Sequence, residues 1–526
     1  MKRFLSMLLV ACLALTMIFS VSGLAVAEDL PRLEKADDGS AAAKAAQDRI
    51  DSGKYPTVVI AFMTWAGRLQ GTDRVAEKMS EITREKIGVN VELMPMDSAS
   101  YSQNMNLMLA SGEQVDLFNA VSVGFMPCYN KGYLYDLEED DLLATYGQGI
   151  IDTFTSIELG GCRVGGTLYG IPVKKDDASG KFGISIPTKY LDEIGVDWQS
   201  MYANPEDEII YTDFDFIEDT FAKLHEKYPD KVTFYTDPGS TVSQCLAMDY
   251  PSDMFGVLLD PTNSLELSDL FSSDMYYELC ERFYRWNQNG WISPDAITET
   301  NATTTQVKAG SLCAYKTATK PGIRQQESNL CGTPVAIFQL GPDFKGSSAY
   351  NTMPWAMNQN TDDPIAAMQV LNLLYTDPDL ATLICWGEEG KEWQESGDGH
   401  IKFAEGVDAQ TSEFYNNVNW QMPNQFIARI WEGDSLDLWE RMQNWNDNAL
   451  TSKAMGFVFD NSDVSAEYTA LTNVYNEYQR QLELGFLNPD EGIPKMEERL
   501  KSAGLEDYIA EKQAQLNAWA EANGIQ

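Results

Sequence analysis

The first regular part of the chain alternates between strand-like and helix-like hydrophobic patterns. Val58–Met63 is a continuous apolar run, as expected for a strand that is covered on both faces. A helical period follows, with Thr72 or Asp73 as candidate caps and Gly88 as its end. Alternating residues 89–93, a helical period over 101–112 and an apolar run at 115–118 complete the series. The order β-α-β-α-β predicts an open parallel sheet, which binds ligands at the carboxyl ends of its strands.

A second unit begins near Ile186 and includes a helical pattern over Phe214–Lys227. A further extended segment at 351–357 leads directly into a helix with Pro364 in its first turn. From about Ala466 onward the spacing of apolar residues is helical. The pattern therefore predicts an α/β protein with a helical C-terminal region.

The N-terminus has the pattern of a secretory signal. Two positive residues precede a long apolar run that ends in Ala25-Val26-Ala27, a small-x-small exit. We expect cleavage after Ala27 and an exported, soluble mature protein, secreted or associated with the cell surface. Lipidation at Cys12 is the alternative, because Leu9-Val10-Ala11-Cys12 resembles a lipobox.

Length and charge narrow the class of protein. A chain of 526 residues suits two or three domains, and 44% hydrophobic residues indicate a globular fold. The formal charge of −41 becomes two units more negative, −43, when Lys2 and Arg3 leave with the signal peptide. Such a field repels phosphate backbones and anionic lipid surfaces, so nucleic acid and membrane surfaces are not expected partners.

Sequence motifs of catalysis are missing. The chain has two histidines, His225 and His400, which cannot form a His-rich metal site. Residues 160–167 have the glycine spacing of a phosphate loop, but Gly166 stands where such a loop requires Lys, so a turn is the better interpretation. Adjacent acidic pairs are expected by chance among 79 acidic residues. We therefore predict no catalytic residues, no metal and no cofactor.

Seven cysteines follow the signal peptide, an odd number without C-x-x-C spacing. Small buried hydrophobic residues are the simplest interpretation. Export permits disulfides, and Cys313–Cys331 is the pair to test first.

Several stretches, in this order, resemble the family 1 extracellular solute-binding proteins of bacterial ABC importers, the large kind associated with carbohydrates. The similarity includes a branch with an extended C-terminal region and reaches from about residue 56 to 522. The matching stretches are Tyr101–Asp116 (YSQNMNLMLASGEQVD), Leu168–Pro172 (LYGIP), Asp363–Gly390, Asn424–Phe426, Gly456–Asp460 and Leu500–Trp519.

This resemblance implies a periplasmic-binding-protein-like α/β fold, in which two lobes with open mixed or parallel sheets are joined by crossing strands. Residues 28–54 are rich in Ala and charged residues without a strand pattern, and we expect them to form a tether. By analogy with the family, lobe 1 would comprise residues 55–172 and 354–398. Lobe 2 would comprise 173–353 and, with the C-terminal helical region, 399–526. The crossing strands Tyr169–Lys175 and Met353–Met357 would form part of the hinge.

The resemblance also implies a function. We expect such a protein to be monomeric and not an enzyme. It captures an oligosaccharide between its lobes, and the lobes close because the closed state makes additional contacts with the ligand. It then docks on a permease. A secreted carbohydrate-active enzyme, such as a glycoside hydrolase, and a glycan-adhesion module are the alternatives.

Candidate ligand residues are aromatic or polar and lie at strand ends or crossings. Trp65 follows the first strand and Asn119 ends the third. Tyr315 follows a strand of small residues that in relatives faces the cleft. The full set is Trp65, Asn119, Lys174, Lys175, Tyr315, Trp355, Trp420 and Asn424.

Trp355 is the strongest candidate for a sugar platform, since Ala356 leaves room beside the ring and Pro354 stiffens the approach. The negative field favours a neutral oligosaccharide. A local site for uronic acids stays open, because Lys174, Lys175 and Arg324 could form one.

Overall fold

The computed structural model describes residues 32–65, 69–204, 207–236, 241–409, 411–415 and 417–525. The expected signal peptide, with its cleavage site and Cys12, lies outside the described residues. The described part of the expected tether contains the helix Ser40–Ser52, and its Ala46 is buried in a hydrophobic core. Arg49 Nε donates to the backbone oxygen of Ile87 at 2.9 Å. Residues 40–52 are therefore packed against the folded body.

The first sheet has the β-α-β-α-β order predicted from the hydrophobic pattern. Its central strand Thr57–Thr64 runs parallel to two neighbours, and a later strand adds to the edge in the antiparallel direction. The strand order is Trp355–Met357, Leu117–Asn119, Thr57–Thr64, Asn90–Asp97. The helices between the first three strands in sequence are Thr72–Ile87 and Ser98–Ser111.

The helix Thr72–Ile87 shows how local sequence sets an element's ends. Val75 and Met79 are buried on one face. Gly88 adopts φ +66°, which favours glycine, and its N–H reaches the Arg84 carbonyl. The start differs from the expectation: Gly71, not Thr72 or Asp73, is the N-cap, because the Thr72 hydroxyl instead donates to the Leu69 carbonyl at 2.6 Å.

The second sheet is mixed. The strand Gly183–Pro187, at its centre, is antiparallel to both neighbours, and the outer pairs are parallel. The strand order is Ile209–Tyr211, Val335–Gln339, Gly183–Pro187, Leu312–Thr317, Val232–Tyr235. The predicted helix Phe214–Lys227 is confirmed and packs here through Ile217, Phe221 and Leu224. This sheet and its helices enclose a second hydrophobic core.

Segments that pass between the cores lie side by side. Ile171 and Trp355 exchange backbone hydrogen bonds of 2.8 Å in both directions, so the two segments expected to cross are paired. A small sheet joins three further segments, in the order Leu450–Thr451, Asp343–Lys345, Ser179–Gly180. Each of these strands lies in sequence between residues of different cores.

The first core extends further along the chain than the lobe boundary predicted from the sequence. Ile401, Phe414, Val418, Met422 and Ala428 all belong to it. The expected lobe 1 segment ended at residue 398, so the return to this core is longer by about thirty residues.

A third hydrophobic core lies under the C-terminal region. Three helices, Ser465–Glu483, Pro489–Ser502 and Leu505–Ala522, confirm the prediction of a helical end. The helix Asp274–Gln288 connects the second and third cores, since Phe283 belongs to one and Tyr276 to the other.

The glycine-rich residues 160–167 form a turn, as predicted. Gly165 and Gly166 adopt φ of +61° and +92° and join the two short strands Arg163–Val164 and Thr167–Leu168. A second short hairpin pairs Trp393–Glu395 with Ile401–Phe403.

Other α-helices surround the sheets or connect them. They are Phe125–Asn130, Leu142–Tyr146, Gln148–Thr153, Ser156–Gly160, Thr188–Glu193, Thr303–Ala309, Ile323–Cys331, Pro364–Thr376, Pro378–Trp386 and Leu438–Asn448. Short 3-10 helices lie at Glu139–Asp141, Gln199–Met201, Ser243–Cys245, Ser347–Tyr350, Asn419–Gln421, Gln425–Ile427 and Ser462–Val464. Across the described ranges, no helix combines the length and apolar character that a membrane span requires.

Candidate ligand-binding cleft

A cleft of about 760 Å³ lies between the helix Ile323–Cys331 and the aromatic end of the first core. Ile323, Glu327 and Cys331 are buried at four-residue spacing, which anchors one helix face on the second core. Other positions of the helix line the cleft, and they are Gln325, Gln326, Asn329 and Leu330. The volume is within the range of small-molecule sites.

Four aromatic side chains of the first-core segment form the opposite wall: Trp386, Phe403, Tyr415 and Trp431. Trp386 and Tyr415 are stacked, with ring centroids 5.9 Å apart and planes at 18°. The Trp431 centroid lies 4.6 Å from Phe403 and 5.4 Å from Tyr415. Trp386 Nε1 donates to the Arg429 carbonyl at 2.9 Å. This wall is therefore a fixed apolar surface, of the kind that the C–H face of a ring can pack against.

Two further tryptophans extend the apolar lining. Trp439 stacks on Phe426 at 5.7 Å and 22°, and its Nε1 donates to the Ala428 carbonyl at 2.8 Å. Trp65 comes directly after the strand Thr57–Thr64 and is 58% exposed, which is unusual for so large a ring. Its accessible faces make Trp65 the clearest platform of the cleft.

Amide side chains supply the polar part of the lining. Gln325 Nε2 donates to Asn329 Oδ1 at 3.1 Å, and Asn419 Nδ2 donates to Gln425 Oε1 at 2.8 Å. An amide has two donor hydrogens and an acceptor oxygen, so each pair retains hydrogen-bonding capacity for a ligand. Aromatic faces combined with amides suit a ligand that has both apolar faces and hydroxyl groups.

Charged groups of the cleft are of both signs and partly paired. Lys320 Nζ lies 3.4 Å from Asp176 Oδ2, and Arg429 pairs with Glu395. Burial raises the pKa of Asp434, which also lines the cleft, to about 6. Lys402 and Glu432 also belong to the lining, which therefore carries charges of both signs.

Lys174 and Lys175 lie at the crossing, outside this lining. Lys174 Nζ is 3.4 Å from Glu158 Oε1, and Lys175 Nζ donates to the Asp176 carbonyl at 2.8 Å. Both side chains are largely buried. Burial raises the pKa of the neighbouring Asp177 to about 7, although both lysines oppose the rise. These lysines neutralise acids at the crossing.

Trp420 and Asn424 lie next to the cleft. Trp420 is half-buried and contacts Trp65. Asn424 is buried, accepts from the Phe426 N–H at 3.0 Å and donates to the Tyr375 carbonyl at 2.9 Å. Of the eight residues predicted from the sequence, Trp65 alone lines the cleft.

The expectation for Trp355 and Asn119 requires correction, because a loop covers the end of the sheet at which both residues lie. Both side chains are completely buried. Trp355 Nε1 donates to the Gln421 carbonyl at 2.8 Å, and Asn119 Nδ2 donates to the same oxygen at 3.1 Å. Gln421 Nε2 in turn donates to the Met63 carbonyl at 2.9 Å. Neither residue can stack on a ligand in this conformation of the protein.

Tyr315 also lies in a core instead of at the cleft. Its strand is inside the second sheet, where it pairs with Ser185. The Tyr315 hydroxyl donates to Glu327 Oε2 at 2.5 Å and lies 3.2 Å from Cys331 Sγ. Tyr315 therefore supports the buried face of the helix whose exposed positions line the cleft.

Most aromatic residues of the lining were not among those predicted from the sequence. One signal was available: seven of the 37 residues from Phe403 to Trp439 are aromatic, against 11% in the whole chain. Whether these aromatic residues line a cleft or a core depends on the return of this segment to the first core, and the residue pattern does not predict that return.

The fold and the cleft together define a solute-binding protein architecture, and comparisons with known proteins agree. The chain is 23% identical over 466 residues to a carbohydrate ABC transporter substrate-binding protein of Streptococcus pneumoniae serotype 4 (strain ATCC BAA-334 / TIGR4). That match covers 87% of this chain and 90% of the relative. Residues 453–521 match the domain of unknown function DUF3502.

Solved structures agree at the level of the fold. The N-glycan transport solute binding protein (NgtS) of Streptococcus pneumoniae superposes with a TM-score of 0.77 and 21% identity, covering 89% of this chain and 99% of that chain. Its complex with Man1GlcNAc gives 0.72 at 20% identity, covering 89% and 100%; its complex with Man5GlcNAc gives 0.70 at 21%, covering 89% and 99%. The resemblance to solute-binding proteins predicted from the sequence is confirmed, and the chain has their fold.

Proposed function

We propose that this protein is the non-enzymatic substrate-binding component of an ABC importer, which captures an oligosaccharide in the cleft and delivers it to a permease. The observation that carries the proposal is the cleft itself, an aromatic wall that faces an amide-bearing helix across the junction of two cores. Both walls belong to one chain, so a monomer has a complete site.

A neutral oligosaccharide is the proposed ligand class. Lys320 and Arg429, the cations with ion pairs in the lining, are bound to Asp176 and Glu395. Lys174 and Lys175 are committed to acids at the crossing, and Arg324 lies over the Tyr202 ring at 5.8 Å. The cationic groups that could have formed a uronic-acid site are therefore engaged elsewhere. The complexes of NgtS with mannose-containing glycans support glycans of this kind as the first probes.

Export and partners follow from the same proposal. We propose that residues 1–27 direct secretion and are removed after Ala27, which leaves the protein outside the cell, free or at its surface. Closure of the two lobes on the ligand would create the surface that the permease recognises, because a ligand favours the state in which it makes more contacts. A separate ATPase would supply the energy of transport.

Titration calorimetry against a glycan panel tests this function. We expect saturable binding of an intact neutral oligosaccharide such as Man5GlcNAc, with much weaker binding of uronate oligomers. A thermal-shift screen is a parallel measure, since a ligand at 100 times its Kd adds about 2.7 kcal/mol of stability. Release of shortened glycans during incubation would support an enzyme instead. Micromolar binding of uronates alone would overturn the neutral ligand class.

A further inference from the structure

One turn of the cleft lining, residues 431–434, carries two hydrogen-bonding groups that have no partner among the described residues. The Asp434 N–H donates to the Trp431 carbonyl at 3.3 Å and closes the turn. Gly433 adopts φ +101°, and a Cβ there would lie 3.0 Å from Gln325 Nε2. The turn therefore needs glycine for its backbone conformation, and it lies next to the Gln325 amide of the opposite helix.

Lys320 and Arg441, whose positive charges act on Asp434, each have another carboxylate as their partner. Lys320 Nζ is 3.4 Å from Asp176 Oδ2, and Arg441 Nη1 is 3.0 Å from Glu208 Oε1. His400 Nδ1 lies 3.0 Å from Asp398 Oδ1, and its Nε2 lies 3.0 Å from the Asp434 backbone oxygen. Among the described residues, none forms a hydrogen bond or ion pair with the Asp434 carboxylate; nearby charges act on it only through space.

The same turn carries an open donor. The indole N–H of Trp431 is buried and has no acceptor in the described part of the chain. A buried polar group without a partner costs free energy, so a protein that retains one commonly uses it in function. An open acceptor and an open donor thus lie three residues apart in the lining of one cleft.

We propose that Asp434 is the specificity-determining acceptor of the cleft, which takes hydrogen bonds from two adjacent hydroxyls of a neutral pyranose. This assignment rests on the proposed function. An ionised carboxylate only accepts hydrogen bonds, and its two oxygens match the paired donors of a vicinal diol. The same charge repels a uronate at this position. Asp434 therefore selects neutral sugars locally, independently of the negative charge of the whole protein.

The titration of Asp434 gives the proposal a second observable. Burial raises its pKa to about 6, the carboxylate of Glu208 adds to the rise, and His400, Lys320 and Arg441 oppose it. Above this pKa the carboxylate is ionised, and both of its oxygens accept hydrogen bonds. Below this pKa one oxygen carries a proton, so only the other oxygen still accepts from a sugar hydroxyl. Affinity should therefore fall as pH decreases through 6.

The test compares Asp434→Asn with the matched control Asp437→Asn, an exposed carboxylate three residues further along that does not line the cleft. Titration calorimetry with Man5GlcNAc at pH 7.5 should show an affinity loss of at least about tenfold for Asp434→Asn, because hydrogen bonds to charged groups are strong. The control should stay within about twofold. The wild type should weaken at pH 5, and Asp434→Asn should lose most of this pH dependence.

The ligand-free melting temperature separates function from folding. Asp434→Asn removes an unpaired, half-buried charge, so the melting temperature should stay the same or rise. If the wild type binds the glycan and Asp434→Asn binds it with the same affinity, this assignment is wrong and the proposed function is unaffected. Absence of wild-type binding across neutral glycans would overturn the proposed function and the assignment with it.

Discussion

Trp65 and Trp420 contact each other with ring centroids 6.3 Å apart and planes at 40°. The two rings belong to segments more than 350 residues apart in sequence, yet both stand where the first strand of the first sheet ends. Trp420 is half-buried and supports its neighbour, whereas Trp65 is 58% exposed at the cleft. The contact holds an accessible ring in place without covering it.

Replacing Trp65 with Ala should weaken ligand binding while leaving the fold stable. By analogy with stacking on nucleic-acid bases, loss of a platform costs about 1–3 kcal/mol, or roughly 5- to 150-fold in affinity. Calorimetry gives the affinity, and thermal melting without ligand should show little change because the ring is mostly in solvent. A large fall in melting temperature with unchanged affinity would show that Trp65 is a packing residue.

Trp355 should behave in the opposite way. Trp355→Ala removes a completely buried ring and should cost about 3–5 kcal/mol in the free energy of unfolding. Trp355→Phe keeps most of the packing but loses the 2.8 Å hydrogen bond to the Gln421 carbonyl, for a smaller cost of about 1–3 kcal/mol. Urea denaturation measures both. Weakened binding without any loss of stability would restore the sequence-based prediction of a platform.

Arg74 ties the helix Thr72–Ile87 to a distant loop through a nearly buried carboxylate. Arg74 Nη2 lies 2.6 Å from Glu392 Oε1, and Glu392 Oε2 also accepts from the Glu388 N–H at 2.8 Å. Arg74→Met should destabilise the protein by about 3–5 kcal/mol, because the Glu392 charge remains buried without its partner. The double variant Arg74→Met/Glu392→Gln should recover part of this loss in urea denaturation. Equal stability of the single variant and the wild type would contradict this account.

Asp177 makes stability depend on pH. Its pKa rises from 3.8 to about 7 because the group is buried, and its Oδ1 has no partner among the described residues. A raised carboxyl pKa favours folding at low pH, and this contribution is lost progressively as pH increases from about 4 to 7. Asp177→Asn should therefore stabilise the protein more at pH 8 than at pH 5, by roughly 2–3 kcal/mol.

Urea denaturation of both proteins at the two pH values measures this difference, with the exposed Asp437→Asn as a control. A gain that does not change with pH would contradict this prediction, because it would mean that Asp177 is already ionised in the folded protein at pH 5 and that its pKa is not raised.

The structure forms no disulfide among the seven cysteines downstream of the expected cleavage site, and Cys313 and Cys331 are not joined. Burial raises the pKa of Cys128 to about 12 and that of Cys313 to about 11, which keeps these thiols protonated and unreactive. We expect a reductant to leave the melting temperature unchanged. Thiol reagents should modify the native protein slowly, with half-buried Cys245 reacting first. A Cys313–Cys331 cross-link in non-reducing peptide mapping would contradict this prediction.

The class of fold was accessible from the sequence because strands and helices of the first sheet are set by local periods. The apolar run at 58–63 and the helical spacing of Val75 and Met79 specify their elements without distant contacts. The missing catalytic motifs and the resemblance to solute-binding proteins are also properties of residues in order along the chain. Trp65 could be predicted because its position depends only on the end of its own strand.

Tertiary structure alone decided which aromatic rings line the cleft. Asn119 ends its strand, and Trp355 begins the antiparallel strand that pairs with it, so both lie at the same end of the sheet as Trp65. Gln421, some 66 residues after Trp355, closes over both of them. Trp386 and Tyr415 become one stacked surface only because residues 401–428 return to the first core. A ring has the same local signature whether it is buried or exposed, so burial by a distant segment cannot be read from its neighbours in sequence.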